Sequence, residues 1–327
     1  MYLMLGAAVT LAVLLLLTFA LKVVAHLLFV ALRNIGSGWS HQRRSGLFFA
    51  LLNFPSAAAL IAVITLVVPS YAVLEPHAHV EIPSWGLLIM AAACLSGLTL
   101  SLSRSLQRWR RTGVTVRTWS NASTALELPG FDLPIRALRT DDPIVTLVGT
   151  RRPRVFVAEC VLQTLSPEEL KAAIEHELGH QRASDNHKRW LQCFLPDVLD
   201  GWWPSSNAIA QGWERACELS ADDFVARRGR SSSLALASAL VKVAKLTPRE
   251  ASHPVGSYLL KGTKSDLRER VAELMRPPQG DVTERKSRNG WTICAALSLA
   301  PLLLIVFYSS ALMGTHELVE IFVHWLR

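Results

Sequence analysis

Apolar positions in the 327-residue chain gather into four long runs separated by polar stretches. Residues 3–21 are almost unbroken apolar, and the run continues to Leu32 with only Lys22 and His26 interrupting it. Residues 47–68 form a second run, broken by Asn53, Pro55 and small polar residues. Residues 85–102 form a third and residues 291–313 a fourth. Each has about the ~20 residues that a helix needs to cross a bilayer. Four such runs, with one long polar block between the third and fourth, predict a multi-pass membrane protein rather than buried helices of a soluble core. The first run lacks a preceding basic segment and a clear small-residue cleavage site, so it reads as an anchor and not as a removable signal.

Inside the polar block the period changes. Residues 144–148 and 155–157 are β-branched runs joined by Gly149-Thr150-Arg151-Arg152-Pro153, the pattern of two strands and a connecting turn. One strand of such a pair can border a cleft and take an extended peptide along its edge. Residues 114–116 predict a further short strand, and residues 118–142, with Pro129-Gly130 and Pro134, a turn-rich stretch. Leu165-Ser166-Pro167-Glu168-Glu169 then supplies an N-cap, a proline at the first helical position and a capping box. A helix is expected from Pro167 to about Gln192, with Leu170, Ala173, Ile174 and Leu178 as its apolar stripe.

Composition sharpens this picture. Half of the residues (50%) are hydrophobic, the mean hydropathy is +0.28 and the net charge is +8. Arg33, Arg43 and Arg44 lie between the first two runs, and Arg104, Arg108, Arg110, Arg111 and Arg117 follow the third. Residues 71–84 hold Glu75 and Glu81 but no Lys or Arg. The positive-inside rule then puts the polar block in the cytoplasm and both termini outside. Arginines beside spans account for the excess charge, so no nucleic-acid partner is expected. The five cysteines show no C-x-x-C spacing, which leaves neither a disulfide framework nor a cysteine metal site.

The chemistry sits on the expected helix, in His176-Glu177-Leu178-Gly179-His180. Histidines at i and i+4 share a helical face and can reach one tetrahedral zinc. Glu177 beside them can take the proton of a water activated there. A third ligand is sought on another helix, and Glu218 and Asp222, four apart, share a face of the stretch 213–223. Glu218 can give a carboxylate oxygen to the metal, and Asp222 can hydrogen-bond the outer nitrogen of a ligating histidine. Glu214 and Asp223 are rivals in the same stretch, and Asp185 is a further acidic candidate.

These residues resemble the integral-membrane zinc peptidases of the BlaR/MecR antirepressor type, peptidase family M56. The motif with Asp185-Asn186 is similar to that family's HExxH-x-x-x-x-D-N. Trp202-Trp203-Pro204 with Asn207 resembles the stretch before its third ligand, and Glu218-Leu219-Ser220-Ala221-Asp222-Asp223 resembles E-L-A-C-D-D with alanine at the cysteine. The related HtpX and CAAX-prenyl (M48) peptidases share the E-x-x-A-D form. His253-Pro254, followed by Arg268 and by Arg270-Val271, is similar to the H-P…R-[IV] segment of HtpX-type peptidases, which makes His253 or Tyr258 a candidate oxyanion stabiliser.

The resemblance implies an α+β chain: four transmembrane helices and a gluzincin-type, mostly helical cytoplasmic zinc-peptidase domain with a small sheet. Residues 1–103 would hold three spans, 104–290 the peptidase domain, 291–313 the fourth span and 314–327 a short extracytoplasmic tail. Zinc would be held by His176, His180 and Glu218, of which the resemblance favours Glu218 over Glu214, with Glu177 and His253 catalytic and Asp222 supporting. The expected activity is cleavage of protein or peptide substrates near the cytoplasmic face of a bacterial inner membrane, in regulatory signalling. An HtpX-like quality-control protease and a non-catalytic zinc-containing signalling scaffold are the alternatives. The sequence shows no large penicillin-binding domain after the fourth run, so β-lactam sensing is not expected.

Overall fold

The computed structural model describes residues 2–35, 39–75, 82–140, 142–149, 153–195, 197–199, 204–246, 264–276 and 308–325. Among these residues, three helices are long and apolar enough to cross a membrane. The first is α1, Tyr2–Ile35. The second starts as α2, His41–Ala62, passes through a π-helical turn at Val63–Val67 and ends as α3, Val68–Leu74. The third is α4, Trp85–Ala122, capped by the Ser84 hydroxyl, which accepts from the Leu87 N–H. Most of the fourth apolar run lies outside the described residues. Its last six positions begin a helix over 308–325, whose Val319, Phe322 and Val323 pack on Leu5, Ala8, Val9 and Ala12 of α1.

Helix α4 continues about 20 residues beyond its apolar run and carries the chain directly into the polar block. The strand expected at residues 114–116 is part of this helix. Each β-branched residue costs a helix only ~0.5 kcal/mol, less than ending one element and starting another. The sheet follows at once. Strand β1 (Ser123–Leu126) runs antiparallel to β2 (Ile135–Leu138), β2 parallel to β4 (Arg154–Ala158), and β4 antiparallel to β3 (Val145–Val148). The order β1-β2-β4-β3 leaves β3 at an edge.

Among the described residues of the block, six helices follow the sheet: α5 (Glu159–Thr164), a short connector, α6 (Pro167–Arg182), α7 (Asp185–Phe194), α8 (Pro204–Ala226), α9 (Arg230–Leu246) and α10 (Lys264–Met275). Its core is made where Val145, Leu147, Val155 and Val157 of the sheet meet Ala173 and Ile174 of α6 and Leu236, Leu240 and Val243 of α9. The capping box at Ser166 and Glu169 forms as expected. The single helix expected from Pro167 to Gln192 does not. Ser184 takes a left-handed conformation, φ 58°, and splits it into α6 and α7.

The block is seated on the long helices at two places. Phe29 of α1 and Phe48 of α2 pack against Ile209, Trp213, Ala216 and Cys217 of α8. The short segment 197–199 reaches deeper. Val198 is buried among Leu14, Ala59, Val63, Val67 and Cys94, and a Cβ on Gly97 would come within 2.0 Å of the Val198 carbonyl oxygen. Asp197 pairs with the buried Lys22 of α1, and its N–H donates to Ser101 Oγ of α4 at 3.1 Å.

Candidate metal centre

Helices α6 and α8 cross where both are small. A Cβ on Gly179 would lie 3.0 Å from Ala221 Cα, so glycine facing alanine lets the two backbones approach closely. That approach brings Glu218 of α8 onto the histidine face of α6. His176 Nε2 lies 3.5 Å from Glu218 Oε2, and His180 Nε2 lies 3.5 Å from Glu218 Oε1. All three side chains are buried, and their facing atoms lie within 4.8 Å of one another, so they could hold a metal ion. The two Nε2 atoms and Glu218 Oε1 have no hydrogen-bond partner among the described residues. Buried polar atoms normally find partners, and two imidazoles with a carboxylate are a donor set suited to a borderline divalent cation. The residues present therefore fit a metal.

Each imidazole is backed by a carboxylate. His176 Nδ1 lies 2.9 Å from Asp222 Oδ1, and His180 Nδ1 lies 2.9 Å from Asp185 Oδ2. Burial raises Asp185, but His180 and then Lys188 outweigh it and hold the carboxyl down at about 2. An ionised carboxylate only accepts, so in the neutral imidazole Asp185 fixes the proton on Nδ1 and leaves the Nε2 lone pair for a metal. Burial lowers His176, yet the Asp222 and Glu218 carboxylates carry it up to about 9 in the protein alone. Arg270 of α10 closes the array. It donates from Nε and Nη2 to the two oxygens of Asp222, at 2.7 and 2.8 Å, and its Nη1 lies 3.1 Å from Glu218 Oε2. Against the cost of burial, His180, Arg270 and His176 bring Glu218 down to about 2, and Arg270 and His176 hold Asp222 lower still.

Glu177 is fully buried and touches the sheet. Its Oε2 accepts from the Leu147 N–H of β3 at 2.7 Å, while Oε1 has no partner among the described residues. Burial raises its pKa, opposed by the charges of His180 and His176 and by the Leu147 bond. Asn186, at the start of α7, donates to the Leu147 and Gly149 carbonyls at 3.1 and 3.3 Å. These contacts lie on the side of β3 that faces away from β4.

The structure thus brings together His176, Glu177, His180, Glu218 and Asp222. His253 lies outside the described residues, as do Tyr258, Trp202 and Trp203. Glu214 is not in the cluster that could hold a metal. Asp185, a rival ligand in the sequence, stands behind His180 instead. Sequence reasoning gave no role to Arg270 or Asn186. Both appeared in the motif comparisons, but nothing in one sequence shows that an arginine 48 positions away grips Asp222. Residues 135–274 match the family model of the BlaR1 peptidase M56, from the start of β2 almost to the end of α10. No curated protein matches the chain.

Proposed function

We propose that this chain, an M56 peptidase over residues 135–274, is a membrane-bound zinc metalloendopeptidase that cuts protein substrates at or near the cytoplasmic face of the bilayer. The carrying observation is the unpartnered trio of His176 Nε2, His180 Nε2 and Glu218 Oε1, with each imidazole backed by its own carboxylate. Zinc held by His176, His180 and Glu218 supplies Lewis-acid activation of water and of the scissile carbonyl. Glu177 removes the proton of the attacking water and returns a proton to the leaving amine, a role that its burial-raised pKa suits. Asp222 and Asp185 fix the imidazole tautomers, and Arg270 holds Asp222 and Glu218 in place.

The outer edge of β3 borders the centre. Leu147 turns its N–H and C=O away from β4, where Glu177 and Asn186 hold them, so a substrate strand pairs along this edge by displacing those two contacts and thereby meets Glu177. Arginines around 104–117 and at 43–44 support a cytoplasmic peptidase domain, and the family resemblance supports a bacterial inner-membrane location.

The test is Glu177→Gln. Gln keeps the size but accepts no proton, so hydrolysis should fall by ~10²–10⁴ while bound zinc stays near one per chain. Loss of the metal in this variant, or cleavage at the wild-type rate, would overturn the assignment. Proteomics of new N-termini, wild type against Glu177→Gln, then names the substrates.

A further inference from the structure

Beside the α6–α8 crossing a cleft opens toward the first turn of α2. Gly179 and Arg182 line it from α6, Phe224, Arg227 and Arg228 from α8 and its end, and Gln42 from α2. The guanidinium carbons of Arg182 and Arg228 lie 5.6 and 5.3 Å from the Phe224 ring centroid, so one aromatic platform gathers two cations. Like charges gathered this way repel unless an anion joins them. The protein supplies little of it. Glu175 Oε1 lies 3.5 Å from Arg228, and Asp223 stands near Arg227 and His41. Among the described residues neither Arg182 nor Arg227 has a carboxylate within ion-pair distance. The first turn of α2 adds to the positive potential, since Ser40 makes no side-chain cap and the turn contains no acidic residue.

Position selects the anion. His41 begins the helix 41–74, which is long and apolar enough to cross a membrane, and the exposed Trp39 lies two residues before it. Tryptophan and arginine at the end of an apolar helix mark the headgroup layer. We infer that this cleft binds the phosphate group of an anionic phospholipid, with Arg182, Arg227 and Arg228 as its donors. Guanidinium groups match phosphate oxygens two at a time. Gly179 faces both the cleft and Ala221 of α8, so the bound headgroup ties α6 to α8, the helices that carry His176, His180 and Glu218.

The experiment uses the full chain in nanodiscs of phosphatidylcholine, with and without phosphatidylglycerol, and reads lipid retention by native mass spectrometry and thermal stability in parallel. No peptidase assay enters, so the result is independent of the proposed activity. Wild type should retain phosphatidylglycerol over phosphatidylcholine and melt at a higher temperature with it. Arg182→Gln/Arg227→Gln should reduce that preference at least about tenfold, as loss of charge-assisted phosphate contacts predicts. The exposed single variant Arg227→Gln should show an intermediate loss, which covers failure of the double variant to fold. Equal retention of the two lipids by wild type, or wild-type retention by both variants, would overturn the site. Inorganic phosphate at millimolar concentration that reproduces the whole stabilisation without phosphatidylglycerol would also overturn it, by making a free anion the ligand.

Discussion

At the scale of single residues, the two imidazoles of the centre are held by carboxylates of different character. Asp222 is gripped from both oxygens by Arg270, whereas Asp185 shares its second oxygen with the partly buried Lys188. Removing the charge of either should loosen the metal. Asp185→Asn and Asp222→Asn are each expected to weaken zinc affinity by roughly 10–100-fold, measured by competition with a chromophoric chelator. Arg270→Met should act in the same direction and also lower folding stability, because it leaves Asp222 and Glu218 buried without their cation. Unchanged affinity in Asp185→Asn would show that the His180 contact does not orient the ring. The HExxH pair was legible because its spacing fixes its geometry. Glu218 was legible from spacing only as one of several carboxylates, and the family resemblance singled it out. Arg270 was not, since its partner lies on another helix and no periodicity links the two.

At the scale of elements, the break between α6 and α7 positions the site. It escaped the sequence reading because Ala183-Ser184 contains neither glycine nor proline, the usual punctuation. The left-handed turn at Ser184 lets Asp185 begin α7 beneath His180, at a backbone cost of about 1 kcal/mol or more. Ser184→Gly should therefore raise stability by up to ~1 kcal/mol in a thermal melt and leave metal affinity unchanged. The start of α6 was readable from its capping box, and it carries a pH signature. Burial raises Glu169, but hydrogen bonds from Lys242, Ser238 and the Ser166 N–H hold it below its ordinary value of 4.5. A carboxyl lowered by folding stabilises fully above its unfolded pKa and loses that contribution as pH falls through the folded one. The stability gap between wild type and Glu169→Gln should accordingly be widest above about pH 5 and shrink on acidification below 4.5, read by denaturant titration at each pH.

At the scale of the whole molecule, the long apolar helices could be read from hydropathy alone, but their seating on the polar block could not. Nothing in the run 85–102 announces that Gly97 is there because a carbonyl from residue 198 lies against it. Gly97→Ala should displace that segment and cost about 1–3 kcal/mol in denaturant unfolding, as overpacking does. Ser101→Ala, which removes only the acceptor for the Asp197 N–H, should cost about 1 kcal/mol. The same seating governs how the protein can be dissected. A fragment excised at residue 104 would leave behind Lys22, the partner of Asp197, and the pocket that buries Val198. It would also bare the face of α8 formed by Ile209, Trp213 and Ala216. Such a fragment would carry every residue of the candidate metal centre and still be prone to aggregate, whereas co-expression with residues 1–103 as a separate polypeptide should recover it folded in the membrane fraction.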